Sequence, residues 1–242
     1  MKRLFLLIVL WLAWSVGAAV TSPIFIPPPG EVVQTFVRMI WNGDMLRAFS
    51  YSLIRITIAA CLSAVAALVI GCSMRLLPTV QELFYPLVQA MRFIPITAFY
   101  PLLTLWFGID EGMKIAFLFV ASFSFMLPSV LAALNDVNPE VVEAANIDGA
   151  GKVALMKNII LPIAAPTITQ SFVTMYAIGW TYISVAETVN AKYGVGYLIY
   201  TSSARGKTVM VFVGIMAIVL FSVIFDWLTK QGIKKIFKWK FS

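Results

Sequence analysis

The sequence predicts an all-α, polytopic membrane protein with about six transmembrane helices. Of its 242 residues, 61% are apolar and 12% charged, and the mean hydropathy is +0.91. A soluble domain is roughly half apolar and about a quarter charged, so this balance excludes a soluble globular chain, a disordered tail and a coiled coil. The apolar residues also come in runs of about 17 or more, long enough to cross ~30 Å of hydrocarbon at about 1.5 Å per residue. The runs are continuous rather than alternating, which excludes a membrane barrel.

The runs are roughly 4–20, 48–74, 80–107, 113–134, 168–189 and 209–228. The first follows Lys2-Arg3 and ends in Gly17-Ala18-Ala19. That pattern also fits a secretory signal, whose cleavage would leave five spans. No soluble domain follows that would need export, so retention is expected. Segment 21–47 is a connection in which Pro27-Pro28-Pro29-Gly30 predicts a stiff extended stretch, followed by an amphipathic stretch over 31–41. The second run holds Arg55, and also Cys61 and Cys72, which lie too far apart along a helix to bridge and read as small core hydrophobes. The third contains Pro86, Arg92, Pro95 and Pro101, which predict a helix kinked near Pro95. The fourth and fifth carry Ser122, Ser124, Thr174, Tyr176, Thr181 and Ser184, which can bond other helices, and Gly179-Trp180, suited to close helix approach. Glu187 and Asp226 lie near the ends of the last two runs, and the tail interleaves Phe237, Trp239 and Phe241 with lysines, as interfacial anchors do.

Lys and Arg in the connections set the orientation. With the N-terminus inside, the inner side holds Lys2, Arg3, Arg75, Lys152, Lys157, Lys230, Lys234, Lys235, Lys238 and Lys240. The outer side holds Arg38, Arg47, Lys114, Lys192, Arg205 and Lys207. This asymmetry predicts both termini in the cytoplasm, and it explains the net charge of +7 better than nucleic-acid binding does. The chain has no histidine, which removes histidine-based proton relays, most metal sites and His-dependent triads.

The inner connection, about 135–167, is more than a linker. Asn138-Pro139-Glu140 supplies an N-cap residue, a proline at the first helical position and an acid in the first turn. A short helix should run to about Ile147, with Val141, Ala144 and Ala145 as a small apolar face. Asp148-Gly149-Ala150-Gly151 should turn the chain, and a second helix over 152–160 should stop at Leu161-Pro162. Two short helices joined by a glycine turn make a knob suited to a groove on another protein.

Glu143-Ala144-Ala145, three residues, Gly149, nine residues and Ile159-x-Leu161-Pro162 resemble the loop motif of permease subunits of bacterial ABC importers, matching every fixed position. Ser52-Leu53-x-Arg55, Arg92-x-x-Pro95, Pro101-Leu102 with Leu105-Trp106-Phe107-Gly108, and Ala186-Glu187-Thr188 with Gly194-x-Gly196 resemble the nitrate/sulfonate/taurine branch. Where that branch commonly has Asn after Arg92, Phe93 stands.

The resemblance implies a type I ABC importer permease fold as a single domain over 1–242, in a bacterial inner membrane. It implies a cytosolic ATPase dimer, a second permease copy and an extracytoplasmic binding protein as partners. Glu143, Ala144, Ala145, Asp148, Gly149, Leu161 and Pro162 would form the ATPase-coupling loop. ATP and magnesium would be bound by the partner, since this chain has no Gly-x-x-x-x-Gly-Lys-Ser/Thr. No cofactor, metal ligand or catalytic residue is expected in it.

Charges inside spans should face protein or water. Arg55, Arg92 and Glu187 are therefore candidates for the substrate pathway; Arg55 could instead snorkel outward or pair with Glu187. Two arginines suit a small anion such as nitrate, a sulfonate or bicarbonate, and a thiamine-type or other aromatic compound is the alternative. An intramembrane enzyme lacks a nucleophile–base pair at membrane depth. An ion-coupled carrier would tend to show internal repeats and midplane carboxylates, and the spans hold no carboxylate at mid-depth.

Overall fold

A computed structural model of the chain describes the backbone of residues 2–147 and 149–241, and all regular structure among these is helical. In chain order the helices are α1 (Lys2–Val20), α2 (Pro29–Trp41), α3 (Asp44–Leu76), α4 (Pro78–Ala90), α5 (Tyr100–Phe107), α6 (Glu111–Asn135), α7 (Pro139–Ile147), α8 (Lys152–Leu155), α9 (Leu161–Ala186), α10 (Val195–Ala204), α11 (Thr208–Ile236) and α12 (Lys238–Phe241). Helix α3, α6, the continuous run Lys152–Ala186 and α11 are each long and apolar enough to cross a membrane. Pro78–Phe93 and Ile96–Phe107 make one more candidate span, bent by 91°, and Phe5–Val20 is a shorter apolar helix.

The bend falls where the proline predicts it. Pro95 has no N–H, and Ile94 before it is extended at φ −69° and ψ 125°. Short 3₁₀ turns, Met91–Phe93 and Ile96–Phe99, close the two arms. The triple proline does less than expected as a spacer, because Pro29 is already the first residue of α2, where its missing N–H costs nothing.

The second helix of the inner connection does not stop at Leu161-Pro162. It passes through a π-turn over Met156–Ile160 and continues as α9, so that Lys152–Ala186 is one 35-residue helix. Proline inside a helix clashes with the preceding turn and removes one bond. The wider π-turn, just before Pro162, is the local adjustment that lets the helix run on. At about 1.5 Å per residue this helix spans ~52 Å, some 20 Å more than the hydrocarbon needs.

The chain divides into two compact units. One comprises residues 55–182 and 223–242. Its core is the face of α6 carrying Met126, Val130, Leu131 and Leu134, packed with Ala67 and Met74 of α3 and with Ala164, Ile168 and Met175 of α9. Polar groups join the same helices: Thr57 and Tyr176 share a hydrogen bond at 2.9 Å, and Ser63 donates to the Phe119 carbonyl at 3.1 Å. Gly179 seats against Ile56 of α3, so its close approach is made within the chain. Cys61 is exposed rather than buried in the core, and Cys72 is half-buried.

The other unit comprises residues 1–54 and 183–222. Val32, Met45, Ala48, Val195, Val213 and Ala217 form its core. Trp14 ties α1 into it, stacking on Phe212 and donating its indole N–H to the Pro27 carbonyl at 3.0 Å. The sequence did not announce α10. Its N-terminus is closed by Glu187, which is 0% exposed. One carboxylate oxygen accepts the Gly196 amide at 2.8 Å and the Tyr197 amide at 3.3 Å. The Ser52 hydroxyl donates to Glu187 at 2.8 Å and accepts the Val195 amide at 2.9 Å. A carboxylate on first-turn amides satisfies groups that would otherwise be orphaned and sits favourably on the helix dipole. Gly194, at φ 142°, completes the cradle, since a Cβ there would collide with the Glu187 carboxylate.

This arrangement predicts an order of damage. Glu187→Ala leaves buried donors without an acceptor and should destabilise the chain by about 3 kcal/mol or more. Glu187→Gln keeps one acceptor and should cost about 1–2 kcal/mol. Thermal unfolding of the detergent-solubilised chain tests this, and a Glu187→Ala variant melting with the wild type would contradict it.

Candidate functional site

The connection after α6 folds as its residues direct. The Asn138 side-chain oxygen accepts the Glu140 amide at 2.9 Å, and Pro139 opens α7. Gly149 closes it at φ 82°, with its amide on the Asn146 carbonyl and the Ala150 amide on the Ala145 carbonyl, each at 3.1 Å. These two bonds and the left-handed glycine are a Schellman cap, which turns the chain into α8. Asp148 lies outside the described residues.

The hairpin has an inner and an outer face. Val142 and Ala145 pack against the core, together with Leu155, Met156, Ile160 and Leu161. Glu143, Ala144 and Gly149 are exposed, as are Val141, Ile147 and Pro162. Ile147 is 80% exposed, an unusual position for a large apolar side chain on a helix rich in polar groups. The outward apolar stripe is therefore Val141, Ala144 and Ile147; Ala145, expected on that face, turns inward. Beside the hairpin lies a cleft of about 180 Å³ lined by Arg75, Val142, Asn146, Lys152 and Leu155 among others. The Arg75 Nε is buried without a hydrogen-bond partner among the described residues.

The other candidate residues are placed differently. Arg55 is 3% exposed, which excludes snorkelling to solvent. Its Nε and Nη2 donate to the two carboxylate oxygens of Glu111 at 2.6 and 2.7 Å, a bidentate fork. Lys114 is fully buried and also reaches Glu111, at 3.6 Å, while donating to the Ile109 carbonyl at 3.2 Å. Sequence reasoning missed this cluster: Lys114 was counted among loop charges, and Glu111 drew no attention. Arg92 lies in the 3₁₀ turn at the 91° bend, exposed, beside Phe93 at 87% exposure. Its guanidinium makes no ion pair or hydrogen bond among the described residues. Glu187 is engaged with α10. A groove of about 490 Å³ along α3, α4 and α6 is walled by residues such as Val69, Phe84, Leu87 and Leu127, with Ser73 its one hydroxyl. That lining suits apolar chains rather than a charged solute.

Comparison with known proteins agrees with this architecture. The taurine transport system permease protein TauC of Escherichia coli is 28% identical over 91% of this chain and 82% of its own length. SsuC of Bacillus subtilis, named as an aliphatic sulfonates transport permease, is 28% identical over 99% of this chain and 88% of its own. The riboflavin transport system permease protein RibX of Chloroflexus aurantiacus is 27% identical over 59% of this chain and 53% of its own. Among solved structures, a chain of the MetNI methionine ABC transporter in an inward facing conformation superposes with a TM-score of 0.69, at 18% identity, covering 82% of this chain and 98% of that one. Residues 63–238 match the binding-protein-dependent transport system inner membrane component family. Helical spans, the hairpin with its motif and this match together show that the chain belongs to the family of inner membrane components of binding-protein-dependent transport systems.

Proposed function

We propose that the chain is the permease subunit of an ATP-driven importer for a small anionic solute of the sulfonate class. In this reading two copies form the pathway, both termini lie in the cytoplasm, and a binding protein delivers solute from outside. A cytosolic ATPase pair binds ATP and magnesium and grips the α7–α8 hairpin. The observation that carries the proposal is the joint between hairpin and span: the docking stripe Val141–Ala144–Ile147 sits one glycine turn from a 35-residue helix that runs on into the membrane. A push on the hairpin is delivered along a rigid rod rather than through a flexible linker. The cleft with Arg75 and Lys152 adds two cations that an acidic partner residue can meet.

The sulfonate class is supported by the names and coverage of TauC and SsuC. An aromatic solute is the second reading, supported by the match to the riboflavin permease over 59% of this chain. The exposed Arg92 at the bend is the residue we assign to the pathway. Arg55 is held in its fork with Glu111.

Two outcomes follow. Gly149→Val forces a β-branched residue to a left-handed φ, a strain of about 1–3 kcal/mol, and should misdirect the hairpin. Glu143→Lys reverses a charge beside the docking stripe. Both should lower ATPase capture in pull-down and cut uptake by roughly tenfold or more at normal protein level. Gly149→Asn, which tolerates that φ, should retain most activity. Wild-type capture and uptake by Gly149→Val and Glu143→Lys would remove the assignment.

The second outcome concerns coupling between the two faces. ATP hydrolysis by the reconstituted complex should rise severalfold when solute-loaded binding protein is added. Hydrolysis indifferent to it would leave the transmission role without support.

A further inference from the structure

Arg75 stands in the last turn of α3 and lines two clefts. One, of about 180 Å³, lies beside the hairpin and is shared with Asn146 of α7, Lys152 of α8, and Met156 and Ile160 of the π-turn. The other, of about 420 Å³, is shared with Gln81, Glu82, Tyr85 and Asn135. The Arg75 Nε is shut off from water and bonds to nothing among the described residues, and no described carboxylate pairs with the guanidinium. A buried donor with no acceptor keeps the full cost of its lost water, and native structures leave few such groups without a reason.

The smaller cleft gathers further donors around that group. Lys152 adds a second cation, exposed and without an ion pair among the described residues. Asn146 adds a side-chain amide that can donate from α7. Among the described residues no carboxylate lines this cleft, and Glu82 lines the other one. The remaining walls, such as Val142, Leu155 and Met156, are apolar and strengthen any charge pairing made between them. The Nε edge of a guanidinium presents two parallel N–H groups, which match two oxygens of a phosphate-type oxyanion.

We propose that this cleft binds a phosphate-type oxyanion, which ties the end of α3 to the hairpin. Arg75 takes two of its oxygens, Lys152 supplies the second charge, and Asn146 donates from α7. Two sources carry this chemistry: an oxyanion free in the cytosol, and the phosphate of an anionic lipid headgroup at the end of the α3 span. Because Met156 and Ile160 line the cleft, the ligand sits at the joint where hairpin becomes rod. It also engages the cations that an acidic ATPase residue would meet, so a filled cleft weakens the ATPase's hold on the hairpin. The cytosolic placement and this competition rest on the importer reading; binding of the oxyanion does not.

The test uses inorganic phosphate and the full chain in a neutral detergent, with affinity measured by calorimetry at ionic strength held constant with chloride. Phosphate should bind the wild type and raise its unfolding temperature. Arg75→Gln should weaken binding by roughly tenfold or more, and Lys152→Gln severalfold. Lys157→Gln removes a nearby charge that does not line the cleft and should bind as the wild type does. Where Arg75→Gln fails to fold, Lys152→Gln carries the test, since Lys152 is exposed. For the lipid source, the chain is placed in nanodiscs of phosphatidylcholine and phosphatidylglycerol, and the lipid retained on extraction is identified by mass spectrometry. Retained phosphatidylglycerol that Arg75→Gln or Lys152→Gln releases supports the site with a headgroup as its ligand, even where free phosphate does not bind. The site is overturned by the absence of both kinds of binding, by binding unchanged in the Arg75 and Lys152 variants, or by an equal loss in Lys157→Gln. ATPase pull-down in phosphate against chloride separates the two claims. Normal capture by a chain that binds no oxyanion sinks the site alone, whereas oxyanion binding with capture unchanged supports the site and removes the competition.

Discussion

The π-turn over Met156–Ile160 is the constraint on which the rest of the structure depends. Leu161-Pro162 stands where a helix ordinarily ends, and Pro166 follows one turn later. Without a local widening the chain would break between the hairpin and the span, and the hairpin would hang from a hinge. With it, Lys152–Ala186 is one rod, and the packing of Leu155, Met156, Ile160 and Ala164 onto α6 fixes the rod to the core. The hairpin is then held from both ends, by Val142 and Ala145 on the core side and by the rod that follows.

The buried charges Glu187, Arg55 and Lys114 obey a second constraint, each having a protein partner in a low-dielectric setting. The two solutions differ in kind. Glu187 accepts from Ser52 and the α10 amides and has no face toward solvent. Its role is to build α10. In the Arg55–Glu111–Lys114 cluster the two cations are buried and the carboxylate is exposed.

Features that depend on near neighbours in the chain were legible in the sequence. The Asn138 cap, the Gly149 turn and the break at Pro95 each follow from one residue's backbone preference. Features that depend on distant partners were not. Glu111 lies 56 positions from Arg55, and Ser52 lies 135 from Glu187. No periodicity signals either pairing. The same holds for α10, whose start is fixed by those side chains rather than by a cap residue of its own. Leu161-Pro162 misled in the other direction, because the rule that proline ends a helix is local and the π-turn that overrides it is supported by tertiary packing.

The central claim is that the hairpin drives the membrane region through a rigid helix. A Gly-Gly insertion between Ile160 and Leu161 tests it most directly, because it leaves every docking residue unchanged and softens only the joint. Reconstituted with its ATPase and binding protein, the inserted variant should capture the ATPase and hydrolyse ATP, but its uptake per ATP should fall by roughly tenfold or more. Uptake per ATP equal to the wild type would show that the rod does not carry the motion.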